Sequence, residues 1–152
     1  MRRSHLLALV AAGVVVFLVI SAVLARAFSV DSAERSAITN VVQAEARGDQ
    51  AAVVDAITGC SASTACRARA AANVAALRRP GSVSIIQIQT SSGFSLGSTL
   101  GTARVAWTVG SSLPIVQCLR VRHAGNVLSG MSVDLLELSG RISSDADCPA
   151  RF

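Results

Sequence analysis

Residues 75–90 read AALRRPGSVSIIQIQT, and the hydrophobic period changes inside them. Before Pro80-Gly81 the chain is rich in alanine, the best helix former, with apolar residues at helical spacing. From Ser82 it turns β-branched and alternating, which predicts a strand over Ser82 to Thr90. The apolar parity switches at Ile85-Ile86, so that strand should carry a bulge. Helices followed by strands in one chain form an α+β pattern, with the helices on one face of an antiparallel sheet.

Downstream, Ser91 to Ser98 reads as a Gly/Ser loop. Ala103, Val105, Trp107 and Val109 then alternate with Thr102, Arg104, Ala106 and Thr108, as a half-buried strand requires. Gly110-Ser111-Ser112 and Pro114 turn the chain into a third strand. There Ile115, Leu119 and Val121 face one way and Cys118, Arg120 and Arg122 the other. Ala124-Gly125-Asn126 predicts a turn into a last strand from Val127 to Leu138, interrupted at Gly130. The tail from Ser139 to Phe152 is polar and expected to be irregular.

Upstream, Thr64 is placed to cap a helix over Ala65 to Arg78. Asp49 is placed to cap a short helix carrying Ala51, Val53, Val54 and Ile57 and stopped by Gly59. Asp31-Ser32-Ala33-Glu34 has the form of a capping box before Ile38, Val41, Val42 and Ala46, with Gly48 as the stop. The soluble part is therefore three helices and four antiparallel strands.

Leu6 to Ala25 (LLALVAAGVVVFLVISAVLA) holds no charge. As a helix it would be about 30 Å long, the thickness of a bilayer's hydrocarbon core. It is longer than the roughly 7–15 residues of a secretory h-region, which favours an uncleaved signal anchor. A cleaved peptide, cut after Val23-Leu24-Ala25 or Ala25-Arg26-Ala27, is the alternative and would yield a secreted domain. A lipid anchor does not fit, because the first cysteine is Cys60. Residues 1–28 thus form a basic N-terminus and transmembrane anchor, and 29–152 one extracytoplasmic domain joined through Ser29 to Ser32.

All four cysteines follow the span, an even number in a small domain, as expected where disulfides persist. The expected orientation is N-terminus inside the cytoplasmic membrane and domain outside. Cys60 and Cys66 bracket a short loop, and the tail can bring Cys148 to Cys118, so Cys60–Cys66 and Cys118–Cys148 are the expected pairs. Neither zinc nor redox spacing is present. The net charge of +5 is misleading, because Arg2, Arg3 and Arg26 flank the span. Without them the domain has eleven arginines against nine acids, with no tyrosine and one tryptophan, which excludes a nucleic-acid binder. Fourteen arginines and no lysine, beside abundant alanine, point to a GC-rich bacterial genome.

The segments EARGDQAAVVDAIT (45–58) and VQCLRVRHAGNVLSGMSVDLL (116–136) resemble the nuclear-transport-factor-two-like, or cystatin-like, superfamily. That resemblance implies a cone in which the sheet curves around a helix, with a pocket in some members. Two features depart from it. Val127-Leu128 stand where members often carry Trp, and the loop from Gly59 to Cys66 replaces a short strand. Isomerase-like relatives use an Asp base and a Tyr oxyanion donor, and the missing tyrosine prevents that carry-over.

No catalytic, cofactor or metal set is expected. His123, beside Arg122 at a strand end, reads as a surface residue, with Asp134 or Glu137 near it if it were a base. Asp55 reads as a solvent-facing carboxylate. Arg104, Arg120 and Arg122 share one sheet face and form a candidate interaction face. Trp107 reads as core, or else as the wall of an apolar pocket with His123 or Asp134 at its mouth. The expectation is a non-enzymatic membrane protein presenting its domain to a protein partner in an envelope complex. The alternative is a pocket protein that binds a small apolar ligand or acts as a degenerate isomerase.

Overall fold

The computed structural model describes residues 2–90, 99–126, 130–143 and Cys148. Three helices come first: α1 (Arg2–Arg47), α2 (Gln50–Ala56) and α3 (Thr64–Leu77), with a 3-10 turn at Cys60–Ala62. Four strands follow, β1 (Val83–Gln89), β2 (Thr99–Val109), β3 (Ile115–Asn126) and β4 (Gly130–Leu138). They form one open antiparallel sheet in the order β1-β2-β3-β4. The fold class is α+β, as the change of period at Pro80 predicts. The expected loop at Ser91 to Ser98 and most of the tail lie outside the described residues.

Among the described residues one helix, α1, is long and apolar enough to cross a membrane, with a window of mean hydropathy 3.0 that is nowhere buried. It does not stop at Ser29. The expected tether and capping box are helical throughout, so α1 crosses the boundary at residue 28 as a single rod. The reason is local. No Pro or Gly lies between Ala25 and Arg47, Asp31 pairs with Arg35 one turn on at 2.8 Å, and the Ser32 hydroxyl bonds back to the Ser29 carbonyl. The Arg35 guanidinium lowers the Asp31 pKa below its ordinary value of 3.8. Glu34 does not cap; it is buried.

Two further helix starts and the end of α1 follow the sequence, but α2 stops at Ala56, short of the expected stop at Gly59, because Ile57 is already extended and bridged to Leu135. Gly48 ends α1 at φ +83°, where an added Cβ would lie 2.8 Å from the Arg78 side chain. Asp49 caps α2 by accepting from the Ala52 N–H at 3.0 Å. Ser63, not Thr64, caps α3: its hydroxyl accepts from the Cys66 N–H at 3.2 Å, and Thr64 is already the first helical residue.

Along the strands the alternation holds. Ala103, Val105, Trp107 and Val109 are buried, as are Ile115, Leu119 and Val121 opposite them. They join Ile38, Val41, Val42 and Ala46 of α1, Val53 of α2 and Val74 and Leu77 of α3 in one apolar cluster. The bulge in β1 falls between Ile85 and Gln87, at the parity switch. One turn is misplaced in the sequence reading. Ala124, Gly125 and Asn126 remain in β3, paired with Ser132, Met131 and Gly130, so the last strand starts at Gly130 rather than Val127. Gly125 takes φ +97° while staying in register with Met131, so a glycine that reads as a turn sits within the ladder in a conformation that favours glycine. Residues 127–129 lie outside the described residues.

Candidate functional site

The inner face of the sheet holds a chain of buried polar side chains. Trp107 Nε1 donates to Gln117 Oε1 at 2.8 Å, and Gln117 Nε2 donates to Glu45 Oε2 at 2.9 Å and to the Ser139 carbonyl at 3.1 Å. Asn73 Nδ2 donates to that same carbonyl at 2.9 Å. Trp107, Gln117 and Glu45 have no accessible surface. An indole N–H only donates and a carbonyl only accepts, so the Gln117 amide has a single satisfied orientation. One glutamine thereby joins α1, β2, β3 and the chain beyond β4.

Burial pushes the Glu45 pKa from 4.5 up to about 7, while the Gln117 and Asn73 amides pull it back down. A carboxyl that holds its proton more tightly folded than unfolded stabilises the fold fully below its unfolded pKa. That contribution is lost as pH rises through the folded value. Stability should therefore fall between pH 4.5 and about 7 by roughly 3 kcal/mol, and Glu45→Gln should flatten that slope. Urea unfolding at a series of pH values checks it; an unchanged slope in the variant would remove Glu45 as the cause.

A second buried pair lies along α1. His123 Nε2 is 2.8 Å from Glu34 Oε2, and both side chains are shielded from solvent. His123 is thus not the surface residue of the sequence reading. It shares the inner face with Val121 and Leu119, whereas Asp134 stands opposite Arg122 on the outer face.

The outer face carries the predicted arginines. Arg104 pairs in register with Cys118, and Arg120 and Arg122 follow along the same side of β3. Arg122 reaches Asp134 Oδ2 with Nη2 at 2.7 Å and Nε at 3.1 Å, and Arg120 lies 3.7 Å from Glu137. Such part-exposed pairs contribute little to stability, on the order of 1 kcal/mol or less. They do write an alternating charge pattern on the face. Glu137 therefore meets Arg120, and His123 finds its carboxylate on α1.

Both expected disulfides are present, Cys60–Cys66 and Cys118–Cys148. The first lines a cleft of about 220 Å³ between α3 and β4, with Thr58, Ser63, Arg69, Asn73 and Glu137 as its polar side chains. The residues expected to form an apolar pocket are not gathered. Trp107 is sealed in the core, and His123 pairs with Thr99 eight positions along β2 from it. Asp55 lies on the exposed side of α2. Among the described residues no three His, Cys, Asp or Glu side chains are grouped to hold a metal ion.

Glu34, Glu45, Asn73 and Gln117 are buried partners that sequence reasoning passed over. Their positions carried a signal. Glu45 falls on the stripe of Ile38, Val41 and Val42, and Gln117 falls at the inward parity between Ile115 and Leu119. Compared with known protein families, curated proteins and solved structures, the chain matches none.

Proposed function

We propose that this chain is a single-pass protein of the bacterial cytoplasmic membrane, N-terminus inside, presenting its domain outside as a non-enzymatic interaction subunit of an envelope complex. The observation that carries this reading is the unbroken α1, apolar along its first half and built into a twice-stapled domain over its last turns. Disulfides persist in oxidising compartments, which favours the outside. The cone of the cystatin-like superfamily remains the architecture we favour, with the sheet wrapping the domain half of α1. The partner face would be the charged outer one, where Arg104, Arg120 and Arg122 alternate with Asp134 and Glu137. A photo-crosslinking residue at position 104 in whole cells should capture one protein, and the same residue at Leu113 should not. Equal capture at both positions, or none at 104 in surface-exposed protein, would end the proposal.

A second reading rests on the cleft beside Cys60–Cys66. Its volume of about 220 Å³ and its mixed lining suit a small polar ligand better than the apolar one expected behind Trp107.

A further inference from the structure

The two buried ties on α1 define how the helix runs along the sheet. Ascending α1, Glu34 meets His123 and Glu45 meets Gln117, so α1 and β3 run in opposite senses. Between the ties the helix rises about 16.5 Å and the strand covers about 20 Å, lengths that agree when the axes lie within roughly 35° of each other. The strand direction that leads from Gln117 to His123 is therefore the direction that leads back toward the apolar run.

That geometry sets heights above the membrane. From Ala25 to Glu34 the continuous helix climbs about 13.5 Å, which places His123 at that level. β3 continues three residues beyond His123 to Asn126, a descent of about 8 Å along the helix axis at the same inclination. Asn126 and its partner Gly130 are then about 5 Å above the end of the apolar run. The headgroup layer of each leaflet is about 5–7 Å thick. At the other end, the exposed Leu113 in the β2–β3 connection lies the full length of the sheet away.

From this we infer that the end of the β3–β4 ribbon at Asn126 and Gly130 rests in the phospholipid headgroup layer of the membrane that α1 crosses. The inference depends on the span proposed above. It adds a second contact with the bilayer, made by backbone at the tip of a two-stranded ribbon, beside the helix itself. The partner is the lipid surface of the same leaflet, and the domain stands with its sheet edge-on to it.

Depth-dependent quenching in vesicles tests this on the full-length chain. Asn126→Cys, Leu113→Cys and Phe17→Cys would each carry a fluorophore on the one added thiol. The vesicles would hold phosphatidylcholine with a nitroxide either on the headgroup or deep in the acyl chain. Position 126 should lose about half or more of its emission to the headgroup nitroxide and position 113 none, as their heights require. Position 17 should be quenched by the acyl nitroxide. Quenching at 17 without quenching at 126 would overturn the headgroup contact and leave the span standing; no quenching at 17 would overturn both.

Discussion

Gln117→Leu is expected to lower the unfolding free energy by about 4 kcal/mol, although it places an apolar side chain of similar size in an apolar core. The loss follows from what stays behind. The Trp107 N–H loses its acceptor, at about 1–3 kcal/mol for a buried donor, and the partly ionised Glu45 carboxyl loses the hydrogen bond that the Gln117 amide donates to it, at about 1.5–3. The Ser139 carbonyl is spared, because Asn73 still donates to it. Replacing both partners removes the stranded charge, so Gln117→Leu with Glu45→Leu should recover a good part of the loss. Chemical denaturation of the single and double variants measures this. A single variant within about 0.5 kcal/mol of the parent, as for a surface change, would mean that the network contributes no stability.

The second large effect belongs to the tail. Removing Cys118–Cys148 as an alanine pair should cost about 3–4 kcal/mol, and removing Cys60–Cys66 about 2, because the first closes the longer loop. The long bridge also ends a tail segment already fastened along β3. Ser139 N–H donates to the Cys118 carbonyl at 2.9 Å and Ile142 N–H to the Val116 carbonyl at 2.8 Å. Cys118 is itself fully buried, so its loss opens packed space as well. Guanidinium unfolding of the two paired variants gives the order. If the short bridge proved the costlier, loop entropy would not be the main source of stability here.

Periodicity made most of the secondary structure legible before any contact was known. Strand alternation around Trp107, the bulge at Ile85 and the stop at Gly48 are local properties, decided within a few residues. The disulfide pairs were also readable, since chain order and strand parity left Cys118 and Cys148 on compatible sides. The buried polar partners were not. Glu34 satisfies a capping-box pattern on its own neighbours, and its place in the core goes with a partner 89 residues away, His123. Likewise Gln117 can be buried because Trp107, the Ser139 carbonyl and Glu45, the last of these 72 residues before it, satisfy its amide. A polar residue on an apolar stripe announces a partner without naming it. Ser29 to Ser32 failed for the opposite reason: its residues are compatible with a loop, but nothing in them breaks a helix that both flanks favour.

The rod that runs from Arg2 to Arg47 has a mechanical consequence. Its 46 residues span about 69 Å without a hinge. On the membrane reading, one axis serves both the lipid-embedded half and the half gripped by the sheet. Helices in bilayers tilt by about 20° on average, by amounts that depend on hydrocarbon thickness. A jointed tether would absorb such a lean; a stiff lever transmits it. A change of 10° at the span would swing the far end of the rod by about 12 Å. The thickness of the surrounding bilayer would thus set the direction in which the charged outer face is presented.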